Sequence, residues 1–97
     1  MSERDEVLAA LRAALPGLRH RWPIRGLALF GSVARDEAAA DSDLDVLVDL
    51  ERPVPLSAFL ALEAELSRLA GRRVDLVTRP ALKPFIGQRI LGEAVVV

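Results

Sequence analysis

The most constraining stretch of the chain is Leu27-Ala28-Leu29-Phe30, four apolar residues that stop abruptly at Gly31-Ser32. A continuous apolar run suits an interior strand covered on both faces, so residues 24–30 are predicted to be such a strand. Residues 43–50 read as a second strand, and their alternation fixes the faces. Leu44, Val46, Val48 and Leu50 share one side, while Asp43, Asp45 and Leu47 share the other. Residues 73–78 read as a third, with Val74 and Leu76 facing one way and Asp75 and Val77 the other.

Between these strands the apolar period changes to that of a helix. Val7, Leu8, Leu11 and Leu15 align on one face of residues 3–15, and Pro16-Gly17 is expected to end that helix. Leu56, Phe59, Leu62, Leu66 and Leu69 give a second helix over residues 56–70, with Gly71 as its stop. A short helix is expected over residues 32–38, capped by Ser32, and a further one over residues 80–91. Residues 94–97 read as a final strand or a partner-docking edge. This mixed order predicts an α/β or α+β fold, a small mixed sheet packed by helices.

A chain of 97 residues is expected to form a single domain over residues 1–97. With 52% hydrophobic and 28% charged residues, disorder is excluded. The formal net charge of -1 leaves no global basic field for gripping nucleic acid. The absence of cysteine excludes disulfides, thiolate zinc sites and a cysteine nucleophile, and a single histidine excludes a multi-histidine metal site. No apolar run has the length of a membrane span, and the N-terminus lacks the apolar core of a signal peptide. A cytoplasmic location is therefore expected.

The chemistry gathers on three carboxylates. Aspartate is a poor strand former, so Asp43, Asp45 and Asp75 among valines and leucines call for a reason. Positions i and i+2 put Asp43 and Asp45 side by side, where two anions repel and a divalent cation relieves the repulsion. Hard oxygens without histidine or cysteine favour magnesium or manganese over zinc. A third carboxylate on a neighbouring strand completes the donor set of a two-metal site suited to phosphoryl transfer. Gly31-Ser32, where a strand meets a helix start, offers backbone N–H groups and a hydroxyl to a phosphate. Ten residues, 33–42, separate Ser32 from Asp43, enough for a short helix and a return into the adjacent strand.

Gly31-Ser32, ten residues, then Asp43-Leu44-Asp45 resembles the signature of the minimal nucleotidyltransferases of the polymerase-β superfamily. The stretches from Phe30 to Arg35 and from Asp41 to Val48 are similar to that family nearly residue by residue. Arg73-Val74-Asp75-Leu76-Val77 resembles its third-carboxylate strand, and Ile90-Leu91-Gly92-Glu93-Ala94-Val95 its C-terminus. One departure is Asp36, where the family commonly has glycine.

The resemblance implies a polymerase-β-like nucleotidyltransferase fold and transfer of a nucleoside monophosphate from a triphosphate, ATP by expectation, to a hydroxyl. Asp43 and Asp45 would then hold two Mg2+ ions (Mn2+ as substitute), Asp75 would hold one and act on the attacking hydroxyl, and Gly31 and Ser32 would grip the β- and γ-phosphates. Arg35 either adds charge to the phosphates or pairs with Asp36, Glu37 or Asp41. Minimal members of the family resemble antitoxins that attach AMP to a tyrosine of a HEPN-domain toxin. The chain has no tyrosine, so such a target must lie in trans. No acceptor-binding domain is expected within these residues, which disfavours a second reading, an antibiotic-type acceptor. A third is an antitoxin that masks its toxin by contact alone. His20 and the cluster Arg19-His20-Arg21 are read as a solvated loop, Trp22 as packing, and Asp49 as a strand-end solvent residue.

Overall fold

The computed structural model describes residues 3–34, 43–78 and 94–97. Within them the chain runs α1 (Glu3–Arg21), β1 (Ile24–Phe30), α2 (Gly31–Ala34), β2 (Leu44–Leu50), α3 (Leu56–Ala70), β3 (Val74–Thr78) and β4 (Val95–Val96). The expected helix over residues 80–91 and the continuation of α2 to residue 38 lie outside the described residues.

The four strands form one mixed sheet in the order β3-β2-β1-β4. β1 pairs antiparallel with β2 and with β4, and β2 pairs parallel with β3. β1 is thus interior in the strand order, but among the described residues its burial alternates, with Leu27 and Leu29 buried and Ala28 and Phe30 half-buried rather than covered on both faces. A parallel neighbour needs a crossover, and α3 supplies it between β2 and β3.

One face of this sheet holds the core. Leu27 and Leu29 of β1, Leu44, Val46 and Val48 of β2, and Val74 and Leu76 of β3 are all buried. They pack with Val7, Leu8, Leu11, Leu15 and Leu18 of α1 and with Leu62 and Leu66 of α3. Each such side chain contributes about 1.5–3 kcal/mol when fully buried. Trp22 closes the cluster, and its indole N–H donates to the Ala58 carbonyl at 2.9 Å. The expectation that it packs is met.

One boundary departs from the sequence reading. α1 does not stop at Pro16-Gly17 but continues through both to Arg21. Proline cannot donate a helical hydrogen bond and crowds the preceding turn. Burial outweighs that cost, because Leu8, Leu11, Leu15, Leu18 and Trp22 continue one stripe at steps of three and four residues. Arg19, His20 and Arg21 are therefore the last helical turn rather than a loop, a favourable place for positive charge beside the helix carbonyls. α3 ends as expected, on Gly71 in the left-handed region with φ 70°.

Both sheet edges are covered by helix side chains. The Val74 N–H donates to Ser67 Oγ and the Leu76 N–H to Glu63 Oε2, each at 3.0 Å. On the opposite edge the Arg12 guanidinium donates to the Val96 carbonyl at 3.0 Å. Bare strand edges invite pairing with other chains, and these bonds occupy donors and acceptors that such pairing would use.

Candidate active site

The face of the sheet away from the helices carries the carboxylates. Strand alternation puts Asp45 and Leu47 of β2 there, with Asp43 just before the strand, and Asp75 and Val77 of β3 beside them. The register is direct: Asp45 pairs with Asp75 across β2–β3 and with Phe30 across β1–β2. Adjacent strands lie about 4.8 Å apart and two residues along a strand span roughly 6.6 Å, so three carboxylates share one small patch. Asp43 and Asp75 are exposed and Asp45 is half-buried.

Gly31 closes the patch from the third side. Because Phe30 is opposite Asp45, the turn that follows β1 lands against the Asp45 side chain. Gly31 has φ 74°, and a Cβ built on it would lie 2.2 Å from Asp45 Oδ2. Only glycine meets both conditions, a left-handed backbone and a carboxylate pressed against the α-carbon. The sequence reading has a phosphate approach this glycine; the group that the structure sets against it is the Asp45 carboxylate. Ser32 is the second residue of α2. Arg35 lies outside the described residues. The turn is anchored to α1, whose Arg4 donates to the Ala34 carbonyl at 3.3 Å.

The donor set fits a hard divalent cation in kind: carboxylate oxygens on one face, with no soft ligand among them. Among the described residues, no group of three or more acidic or histidine side chains converges tightly enough to hold a metal ion. Backbone register rather than a preformed cage is what assembles the set, and the exposure of Asp43 and Asp75 leaves their carboxylates room to rotate. Asp49, four residues beyond Asp45, is half-buried and lies 3.8 Å from Arg25, so it is an ion-pair partner rather than the solvent residue expected. His20 is exposed in the last turn of α1.

A cleft of about 590 Å³ lies elsewhere, lined by Leu50, Val54, Leu56, Phe59 and Thr78. Leu50 and Thr78 are the last residues of β2 and β3, whereas the three candidate carboxylates stand at the beginnings of those strands. Its lining carries no acid pair, so the donor chemistry, not the cleft volume, locates the candidate site.

Residues 11–97 match the family described as the nucleotidyltransferase domain. The chain belongs to that family. It is 43% identical over 93 residues to the protein adenylyltransferase MntA of Thermococcus cleftensis, covering 96% of this chain and 94% of the relative. Among solved structures it is similar to a proposed minimal nucleotidyltransferase, with TM-score 0.81, 36% identity, and coverage of 97% of this chain and 95% of the other. The fold also matches a toxin–antitoxin crystal structure with AMP-PNP, at TM-score 0.69 and 20% identity over 96% of this chain and 70% of that one. It matches too a complex of a tri-AMPylated Shewanella oneidensis HEPN toxin with an MNT antitoxin, at TM-score 0.60 and 19% identity over 97% and 67%. The mixed α/β nucleotidyltransferase fold read from the sequence is the fold observed, and the chain is a nucleotidyltransferase.

Proposed function

We propose that this nucleotidyltransferase is a single cytoplasmic domain that transfers AMP from ATP to a tyrosine hydroxyl of a HEPN-domain toxin, and so acts as its antitoxin. The observation that carries the reading is the packing of Asp45 against Gly31 while it pairs in register with Asp75. A phosphate-binding turn and two acidic strands meet at one carboxylate. The relative from T. cleftensis, named as a protein adenylyltransferase, and the similarly folded complex with a tri-AMPylated toxin support the acceptor class.

In this reading the backbone at Gly31 and the Ser32 hydroxyl hold the β- and γ-phosphates, with Arg35 adding positive charge. Asp43 and Asp45 hold two divalent cations, Mg2+ with Mn2+ as substitute, and Asp75 shares one of them. Such ions neutralise the triphosphate and lower the pKa of an attacking hydroxyl. The tyrosine oxygen attacks the α-phosphorus, the bond to the bridging oxygen breaks, and pyrophosphate leaves with the electron pair. Asp75 accepts the tyrosine proton at a carboxylate oxygen.

Intact-mass measurement tests this directly. The chain is incubated with the protein encoded by its neighbouring gene, ATP and Mg2+. Gain of one or more AMP units on the partner, lost in the Asp43→Ala/Asp45→Ala variant and with a partner lacking the tyrosine, is the expected result. A partner that is inhibited yet unmodified would instead assign silencing to binding alone.

A further inference from the structure

Among the described residues Asp75 stands on an edge strand, with β2 on one side of β3. A ladder satisfies alternate N–H groups of such a strand and leaves the rest facing outward, where the strand can fray. The outward N–H groups on either side of Asp75 are both held by α3. Val74 donates to Ser67 Oγ and Leu76 to Glu63 Oε2, each at 3.0 Å. The Ser67 hydroxyl spends its own proton on the Glu63 carbonyl at 2.8 Å, which orients its lone pairs to accept from Val74.

The spacing explains why two rungs fit. Glu63 and Ser67 are four residues apart, about 6 Å along a helix. Val74 and Leu76 are two residues apart, roughly 6.6 Å along a strand. α3 and β3 run in opposite directions, so the later helix residue meets the earlier strand residue.

We propose that Glu63 and Ser67 are positioning residues for Asp75. They fix the backbone immediately before and after it, and therefore the direction in which its carboxylate leaves the sheet. Neither touches substrate, and the proposal rests on the reading that Asp75 takes part in AMP transfer. The rungs act on β3 alone, so their loss spares the triphosphate grip at Gly31 and Asp45. Turnover falls while the KM for ATP stays.

Three substitutions separate reach from charge. Glu63→Gln keeps the reach and an acceptor oxygen. Glu63→Asp keeps the charge but is one methylene too short. Glu63→Ala removes both. Amide hydrogen exchange, read by NMR on the free protein, is expected to accelerate about tenfold at Leu76 in the Asp and Ala variants and to stay near wild type in the Gln variant. In the AMP-transfer assay kcat is expected to follow the same order, falling about 10- to 100-fold for Asp and Ala, with the KM for ATP within about twofold. Glu63→Asp, the milder of the two losses, carries the test where Glu63→Ala fails to fold. Faster exchange at Leu76 with unchanged kcat overturns the positioning role, as does a Glu63→Asp variant that behaves like wild type. A wild-type protein that transfers no AMP overturns the functional reading instead, and the two failures are thereby distinct.

Discussion

Replacing Gly31 by alanine tests whether the turn and Asp45 form one unit. Two costs are separable. The backbone at φ 74° lies in the left-handed region, which costs an L-residue about 1–2 kcal/mol. The new methyl would stand 2.2 Å from Asp45 Oδ2, more than 1 Å inside the roughly 3.5 Å of an unstrained non-bonded contact. Relieving it displaces the carboxylate, and overpacking of this kind costs about 1–3 kcal/mol. Gly31→Ala is therefore expected to lose about 2–5 kcal/mol in urea unfolding, and AMP transfer at least about 100-fold, since a misplacement near 1 Å is enough for that. The background decides between the terms. Asp45→Ala removes the two nearest atoms and leaves the Cβ 3.4 Å from the new methyl, an ordinary contact. Gly31→Ala in that background should cost only the backbone strain, about 1–2 kcal/mol. The cycle then yields a coupling of about 1–3 kcal/mol. Costs that add to within about 0.5 kcal/mol would mean that the two residues are independent, and the description of the site as a carboxylate pressed on a glycine would be wrong.

Two further perturbations probe the scaffold. Pro16→Ala restores a helical N–H within α1: interior proline costs about 3 kcal/mol relative to alanine, and the looser unfolded chain returns about 0.4–1 of it. A net gain of about 2–2.6 kcal/mol, or roughly 10–20 °C in Tm, is expected by calorimetry; an unchanged or lower Tm would show that the proline costs this helix nothing. The Glu65 carboxyl is held below the ordinary glutamate range, first by the hydrogen bond from Arg68; burial opposes this, and the charges of Arg68 and Arg21 add to the lowering. A depressed folded-state pKa stabilises above the unfolded value, and the contribution is lost as pH falls through the folded one. An NMR titration should find Glu65 returning toward its ordinary range in Arg68→Ala, and no movement there would remove Arg68 as the cause.

What could be read from the sequence divides along the range of the interactions that matter. β1 and α3 were legible to the residue, because alternation and helical period are local signals and glycine marks both ends. The sidedness of Asp43, Asp45 and Asp75 was legible for the same reason, since a strand's period of two leaves no other choice of face. The end of α1 was misread because Pro16-Gly17 is also a local signal, and it lost to a longer one. Leu18 and Trp22 extend the stripe of Leu8, Leu11 and Leu15, and burying them outweighs one missing bond. The contact between Gly31 and Asp45 needs the pairing of Phe30 with Asp45, a register that no local pattern specifies. Glu63 and Ser67 were invisible for a related reason. On a helical wheel they are polar residues on the border of an apolar stripe, indistinguishable from a solvated flank. Their bonds to β3 become meaningful only once β3 is known to be an edge and to carry Asp75. The sequence therefore specifies which atoms the site uses, and the long-range pairing of strands and helix specifies how firmly they are held.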